Sequence, residues 1–213
     1  MRLHHIIAGA SALVLAAAAA ESAAPERLQI RGTITSFTAE RVVVQTAKGP
    51  ITVGMTPKTI VVGATPGHMS DIVPGAFLGI ANAPGKSGAE ALEVSVFDEK
   101  LRGVGEGDGP WQAPEHRTSA MTNGTVAPAT HAAMTNGTVE KAGGNGAKTI
   151  TVAYKGGSKK IVVPANAPIV HVAPGSATLL KRKASVFMSA AKHAGAVTAN
   201  FIVVGEHGTV VPL

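Results

Sequence analysis

Apolar and polar residues alternate in short runs along most of the chain after residue 25, and nearly every run stops at a glycine, a proline or a lysine-glycine pair. A period of two with dense Val, Ile and Thr is the pattern of half-buried β-strands. It predicts strands over 28–36, 41–46, 51–55, 59–62, 76–82 and 91–97, with a turn at Lys48-Gly49-Pro50. A second series is predicted over 149–154, 160–163, 169–172, 184–189 and 197–204, with a turn at Gly156-Gly157. Gly32 falls inside the first strand, where a missing side chain marks a bulge or a sharp bend such as a barrel corner. Between the fourth and fifth strands, His68-Met69-Ser70-Asp71 reads as a short helical turn, followed by a Pro74-Gly75 turn.

The two series are one pattern read twice. Residues 31–62 and 136–170 share the order Gly-Thr-apolar, turn, alternating run, glycine turn and second run, and Gly32 aligns with Gly137, Ile60 with Ile169 and Val94 with Ile202. In the second copy 179–183, Leu-Leu-Lys-Arg-Lys, take the place of the helical turn, with Lys181-Arg182-Lys183 standing for Ser70-Asp71-Ile72. Self-similarity on this scale signals modular architecture. The expectation is an all-β chain of two tandem small OB-like β-barrels, 25–99 and 121–213, joined by a Gly/Pro-rich linker at 100–120. A perfect local duplication, MTNGTV at 121–126 and again at 134–139, complicates the second unit. The second copy is expected to form its first strand, because it leads into Thr149 at normal loop length, leaving the first as an edge appendage or disordered.

Residues 1–24 are laid out as a cleavable signal peptide: Arg2, an apolar run over 6–20, then small residues, with cleavage after Ala20 or Ser22 avoiding Pro25 at the new N-terminus. No later run reaches the ~20 apolar residues of a membrane-spanning helix, 72–83 being interrupted by Pro74, Gly75 and Gly79. With no cysteine there is no disulfide, lipid attachment or thiol chemistry. The expected location is the periplasm.

Charge divides unevenly. Residues 27–99 carry six basic and six acidic side chains, whereas 121–213 carry nine basic against Glu140 and Glu206. Lys155, Lys159 and Lys160 around one hairpin, with Lys181, Arg182 and Lys183 in the connector, are the candidate anion-binding residues, suited to an anionic envelope component or an acidic protein. Aromatic residues make up only 3% of the chain, too few for the stacking platforms that hold single-stranded nucleic acid, and no nucleic-acid partner is expected.

The linker KLRGVGEGDGPWQAPEHRTSA holds the chain's only tryptophan, Trp111, expected to anchor it in an apolar notch. Its glycine run leads into Gly109-Pro110-Trp111 rather than opening a helix, so it lacks the N-terminal dipole that makes a phosphate loop. Glu106, Asp108, Glu115, His116 and His131 are the candidate metal ligands by chemistry, although none shows ligand-pair spacing. No nucleophile motif or carboxylate pair points to catalysis, and the histidines from His68 to His207 come singly, so a non-enzymatic protein without a cofactor is expected.

The leader, the RGTI opening, LRGVGEGDGPW, MTNGTV and the YKGG…IVVP run together resemble a family of exported bacterial proteins with tandem OB-like domains of unknown function, whose members often carry the automatic label "metal ABC transporter permease". The resemblance implies an exported β-protein that binds or scaffolds within the envelope, or a periplasmic metal-binding accessory of metal transport. A permease is at odds with the lack of spanning segments.

Overall fold

Glycine 32 shows how the sequence sets the architecture: a Cβ there would lie 2.0 Å from the Gln45 carbonyl oxygen and 2.8 Å from Val44, so only glycine lets the first strand bend onto the second. The computed structural model describes residues 25–86, 88–113, 116–127 and 146–211, without the side chains of 112–117. The leader and the second MTNGTV copy, 134–139, lie outside them.

The described residues form thirteen strands and three single turns of 3₁₀ helix: β1 Glu26–Phe37, β2 Arg41–Thr46, β3 Gly49–Gly54, β4 Ile60–Pro66, β5 Phe77–Gly85, β6 Gly88–Phe97, β7 Gly107–Ala113, β8 His116–Val126, β9 Lys148–Tyr154, β10 Gly157–Val163, β11 Ile169–Pro174, β12 Ser185–His193 and β13 Ala196–Gly205. The chain is all-β. No helix among the described residues is long and apolar enough to cross a membrane.

Strand pairing does not follow the order of the repeats. The β1–β2–β3 meander pairs through β1 with β12 and through Thr198–Gly54 with β13, and β12 pairs with β13, so the pairings return to their start. The second circuit is the same arrangement: β8 pairs with β9 and β5, β9 with β10, β10 with β6, and β6 with β5. Each ring thus joins the opening strands of one repeat to the closing hairpin of the other. Between the rings, β4 lies parallel to β13, β11 lies parallel to β6, and the two pair antiparallel to each other.

Packing follows the rings, and the buried clusters draw on both halves of the chain instead of staying within 25–99 and 121–213. One core sets Ile30, Ile34, Val42, Val44 and Val53 against Val186, Met188, Ile202 and Val204. The other sets Leu78, Ile80, Val94 and Val96 against Ile150, Val152, Ile161 and Val163. A third cluster, including Val62, Ala64, Val172, Phe187 and Val203, lies where β4 and β11 join the rings.

Two local expectations are corrected. The first MTNGTV copy is not an edge appendage: it ends β8, where Gly124 repeats the role of Gly32 with a Cβ position 2.3 Å from the Ala153 carbonyl oxygen. The linker explains the choice, since β7 folds straight back onto β8 and zips the nearer copy into the sheet. The 3₁₀ turn of the second repeat is Ala177–Leu179, matching Met69–Asp71 of the first, so that Ile72 and Leu180 are matching buried plugs and Lys181-Arg182-Lys183 replaces Val73-Pro74-Gly75. Lys183 takes the left-handed backbone of Gly75, with φ of 68° against 87°.

The β12–β13 turn also uses left-handed backbone, at Ala194 (φ 48°) and Gly195 (φ 84°), a geometry for which Asn-Gly is the favoured pair. Ala194→Asn is expected to stabilise the protein by about 1 kcal/mol, because alanine is the costlier residue in that region. A denaturation midpoint that fails to rise would show that the turn is not left-handed in solution.

Candidate functional site

Along β6, Ala91, Val94 and Val96 face one ring's core, which turns Glu93, Ser95 and Phe97 toward the other ring. Opposite them, Phe187 of β12 and Phe201 of β13 face outward from their own ring. Strand β7 closes the space above with Trp111. The result is a cleft of about 530 Å³ walled by Phe97, Trp111, Phe187 and Phe201, with Ser95 and Asn123 in its lining. The Trp111 and Phe187 rings lie 5.4 Å apart, and the Arg31 guanidinium sits over both, 5.8 and 5.2 Å from their centroids. Such a stack contributes through dispersion and the attraction of a cation to the π-face.

The rim is tied down by hydrogen bonds. Asn123 Nδ2 donates to the Gly105 carbonyl (3.0 Å), and the Lys155 backbone N–H donates to Glu106 (3.0 Å). Buried Thr122 accepts from Asn82 (3.0 Å) and donates to Asp108 (2.6 Å), which also receives Lys159 Nζ at 3.0 and 3.2 Å. These contacts place the glycine run of the linker as a fixed mouth of the cleft.

Against this well-bonded frame, Glu93 Oε1, Ser95 Oγ, Trp111 Nε1 and Asn123 Oδ1 are buried with no hydrogen-bond partner among the described residues. Buried polar groups are paired in the great majority of cases, and leaving one unpaired costs about 1–3 kcal/mol. Ser95, Trp111 and Asn123 line the cleft, and Glu93 lies on their side of β6. Burial, opposed by the Arg31 charge, pushes the Glu93 carboxyl up to about 8, so that at neutral pH it carries a proton and can donate. Burial also lowers the Arg31 value, against the pull of Glu93.

The basic residues singled out in the sequence are divided between the two rings. Lys155, Lys159 and Lys160 are on the β9–β10 hairpin of the ring containing β8, where Lys159 neutralises Asp108 and Lys160 is also engaged. Lys181, Arg182 and Lys183 belong to the other ring, in the loop entering β12. Of the candidate metal ligands, Glu106 and Asp108 are held by that hairpin, while Glu115 and the His116 side chain, with His131, fall outside the description. Among the described residues no group of three His, Asp or Glu side chains is placed to hold a metal ion. Asp71 does meet His171, at 3.2 Å, and its carboxyl lies below the ordinary value, chiefly because the His68 backbone N–H donates to it at 2.7 Å.

Trp111, expected as a linker anchor, lies in β7 and lines the cleft. Glu93, Ser95, Arg31 and Asn123 were missed. The available signal was a carboxylate inside the apolar run Ala91-Leu92-Glu93-Val94-Ser95-Val96-Phe97, where a solvent-facing position is hard to distinguish from one facing a second ring.

The fold and cleft define an all-β protein with a preformed apolar site and converging polar groups. Comparison with family models, with curated proteins and with solved structures finds no match to the chain.

Proposed function

We propose that the protein is an exported, non-enzymatic binding protein of the cell envelope, made of two OB-like barrels interlocked by strand exchange, whose ligand is a small, mostly apolar molecule held beneath Trp111. The OB-like reading is supported by the plan of each ring: five strands, a first strand bent at a glycine, and a 3₁₀ turn ahead of the closing hairpin. The apolar leader supports export, and the resemblance to exported tandem OB-like proteins points the same way.

The observation that carries the binding role is the convergence of unpartnered buried polar atoms on an aromatic-walled space of drug-like size. Trp111 Nε1–H and the Ser95 hydroxyl offer donors, and Asn123 Oδ1 offers an acceptor. Together they suit a compact ligand carrying both a carbonyl or hydroxyl oxygen and a donor N–H or O–H.

Native mass spectrometry of the protein recovered gently from its own envelope tests this. The expected result is a mass excess of one small organic molecule, lost in a Ser95→Ala/Asn123→Ala variant, with a shift in Trp111 emission when the molecule is added back. A bare mass, together with Trp111 emission that no envelope extract alters, would overturn the cleft as a binding site. A metal mass removed by chelator would favour a metal-binding accessory instead.

A further inference from the structure

The two rings differ at one corresponding place. In the ring containing β8, Arg102 occupies the space beside the bent strand, donating to the Gly75 carbonyl (2.8 Å) and Thr125 Oγ1 (2.8 Å) while pairing with Glu99 and lying over Phe77. The framework around it is reproduced in the other ring. The Gly75 N–H bonds to Val126 O and Val126 N–H to Ala76 O; equivalently, Lys183 N–H bonds to Ile34 O and Ile34 N–H to Ala184 O. Asp98 N–H bonds to Val172 O, and equivalently Glu206 N–H bonds to Ala64 O. Matched this way, Arg102 corresponds to Val210, which is 75% exposed and leaves the place open.

What remains is a hollow of about 450 Å³ lined by Lys181, Arg182 and Lys183 on one side and by His207, Gly208 and Thr209 on the other. No hydrogen bond or ion pair among the described residues engages the three cationic side chains. Thr209 Oγ1 is buried in the lining without a partner. Glu206 is the one carboxylate in the lining, and it packs against Gly63. The triplet is also held at a conformational cost, because Lys183 keeps the left-handed backbone that its counterpart supplies with glycine.

We propose that this hollow is an anion site for a phosphate group, with Lys181, Arg182 and Lys183 supplying charge and Thr209 a hydroxyl donor. Each ring then fills the same place, one with its own arginine and the other with a ligand. Planar guanidinium and ammonium donors around an open hollow suit the tetrahedral oxygens of phosphate. Free phosphate and a phospholipid headgroup present this chemistry equally. The site is separate from the cleft and stands without it.

Titration calorimetry of the purified protein with inorganic phosphate, and co-sedimentation with phosphatidylglycerol and with phosphatidylcholine vesicles, distinguish the sources. Phosphate binding that weakens at least tenfold in Lys181→Ala/Arg182→Ala, is unchanged in Lys155→Ala, and tightens in Glu206→Gln supports a free-phosphate site. Selective sedimentation with phosphatidylglycerol, lost in the same double variant, supports a headgroup site. Lys183→Gly removes one cation while relieving the backbone, so reduced binding with unchanged or raised stability would separate charge from folding. Absence of binding in both assays, or binding that the double variant does not alter, overturns the proposal.

Discussion

Gly124→Ala is expected to destabilise the protein by at least about 3 kcal/mol, and Gly32→Ala by a similar amount, because each new methyl lands on a carbonyl oxygen of the neighbouring strand, 2.3 Å away at Gly124 and 2.0 Å at Gly32. Neither obstacle is a flexible side-chain end. Relief requires the bent strand to separate from its partner, β8 from β9 or β1 from β2, which opens a ring and exposes its core. The duplicated motif supplies an internal control. Gly137, in the copy outside the described residues, has the same sequence neighbours as Gly124, yet the ring already has its bent strand. Denaturant unfolding of the three variants should show large losses for Gly32→Ala and Gly124→Ala and little change for Gly137→Ala. The reverse order for the last two would place the second copy in β8.

Lowering the pH from 7 to 5 is expected to stabilise the fold through Glu93. The buried carboxyl sits at about 8 when folded, against 4.5 ordinarily, so between these values the folded protein holds a proton that the unfolded chain releases. Stability contributed by such a group falls as pH rises, by about 1.4 kcal/mol per unit in the middle of that window. Glu93→Gln keeps the shape and removes the titration. The difference between wild-type and variant unfolding energies should therefore change by about 2–3 kcal/mol between pH 5 and 7, with the variant gaining relative to wild type toward higher pH. Parallel curves would mean that Glu93 ionises freely or keeps its charge by pairing with Arg31.

The class of fold was legible because alternation is local: runs such as Arg41-Val42-Val43-Val44 and Ile150-Thr151-Val152 leave little choice but strand. The pairing of those strands was not. Val186-Met188-Ala190 and Leu78-Ile80 present the same inward pattern, so either hairpin offers an acceptable closing face to either meander, and side-chain periodicity carries no label for which one it meets. Sequential closure was the simpler reading, and the third cluster around Phe187 and Val203 is where the exchange gains a further buried contact. The site suffered from the same ambiguity. Ser95 and Glu93 read as the wet side of β6 until a second ring is placed against them, whereas a tryptophan among glycines and prolines stands out whatever the topology. The basic triplet was visible as charge, but its significance depends on Arg102 filling the equivalent place in the other ring, a comparison that only three dimensions supply.

The interlocked rings also set the order in which the molecule can be completed. Glu26 in the first strand pairs with Lys192 of β12, so the opening meander stays without its closing partner until β12 and β13 have been made. Long-range closure of this kind slows folding and prolongs the exposure of unpaired strand edges. During that interval the closing hairpin of a neighbouring molecule offers the same register as the chain's own. Crowded synthesis therefore favours exchange between molecules, and dilution favours the self-closed form.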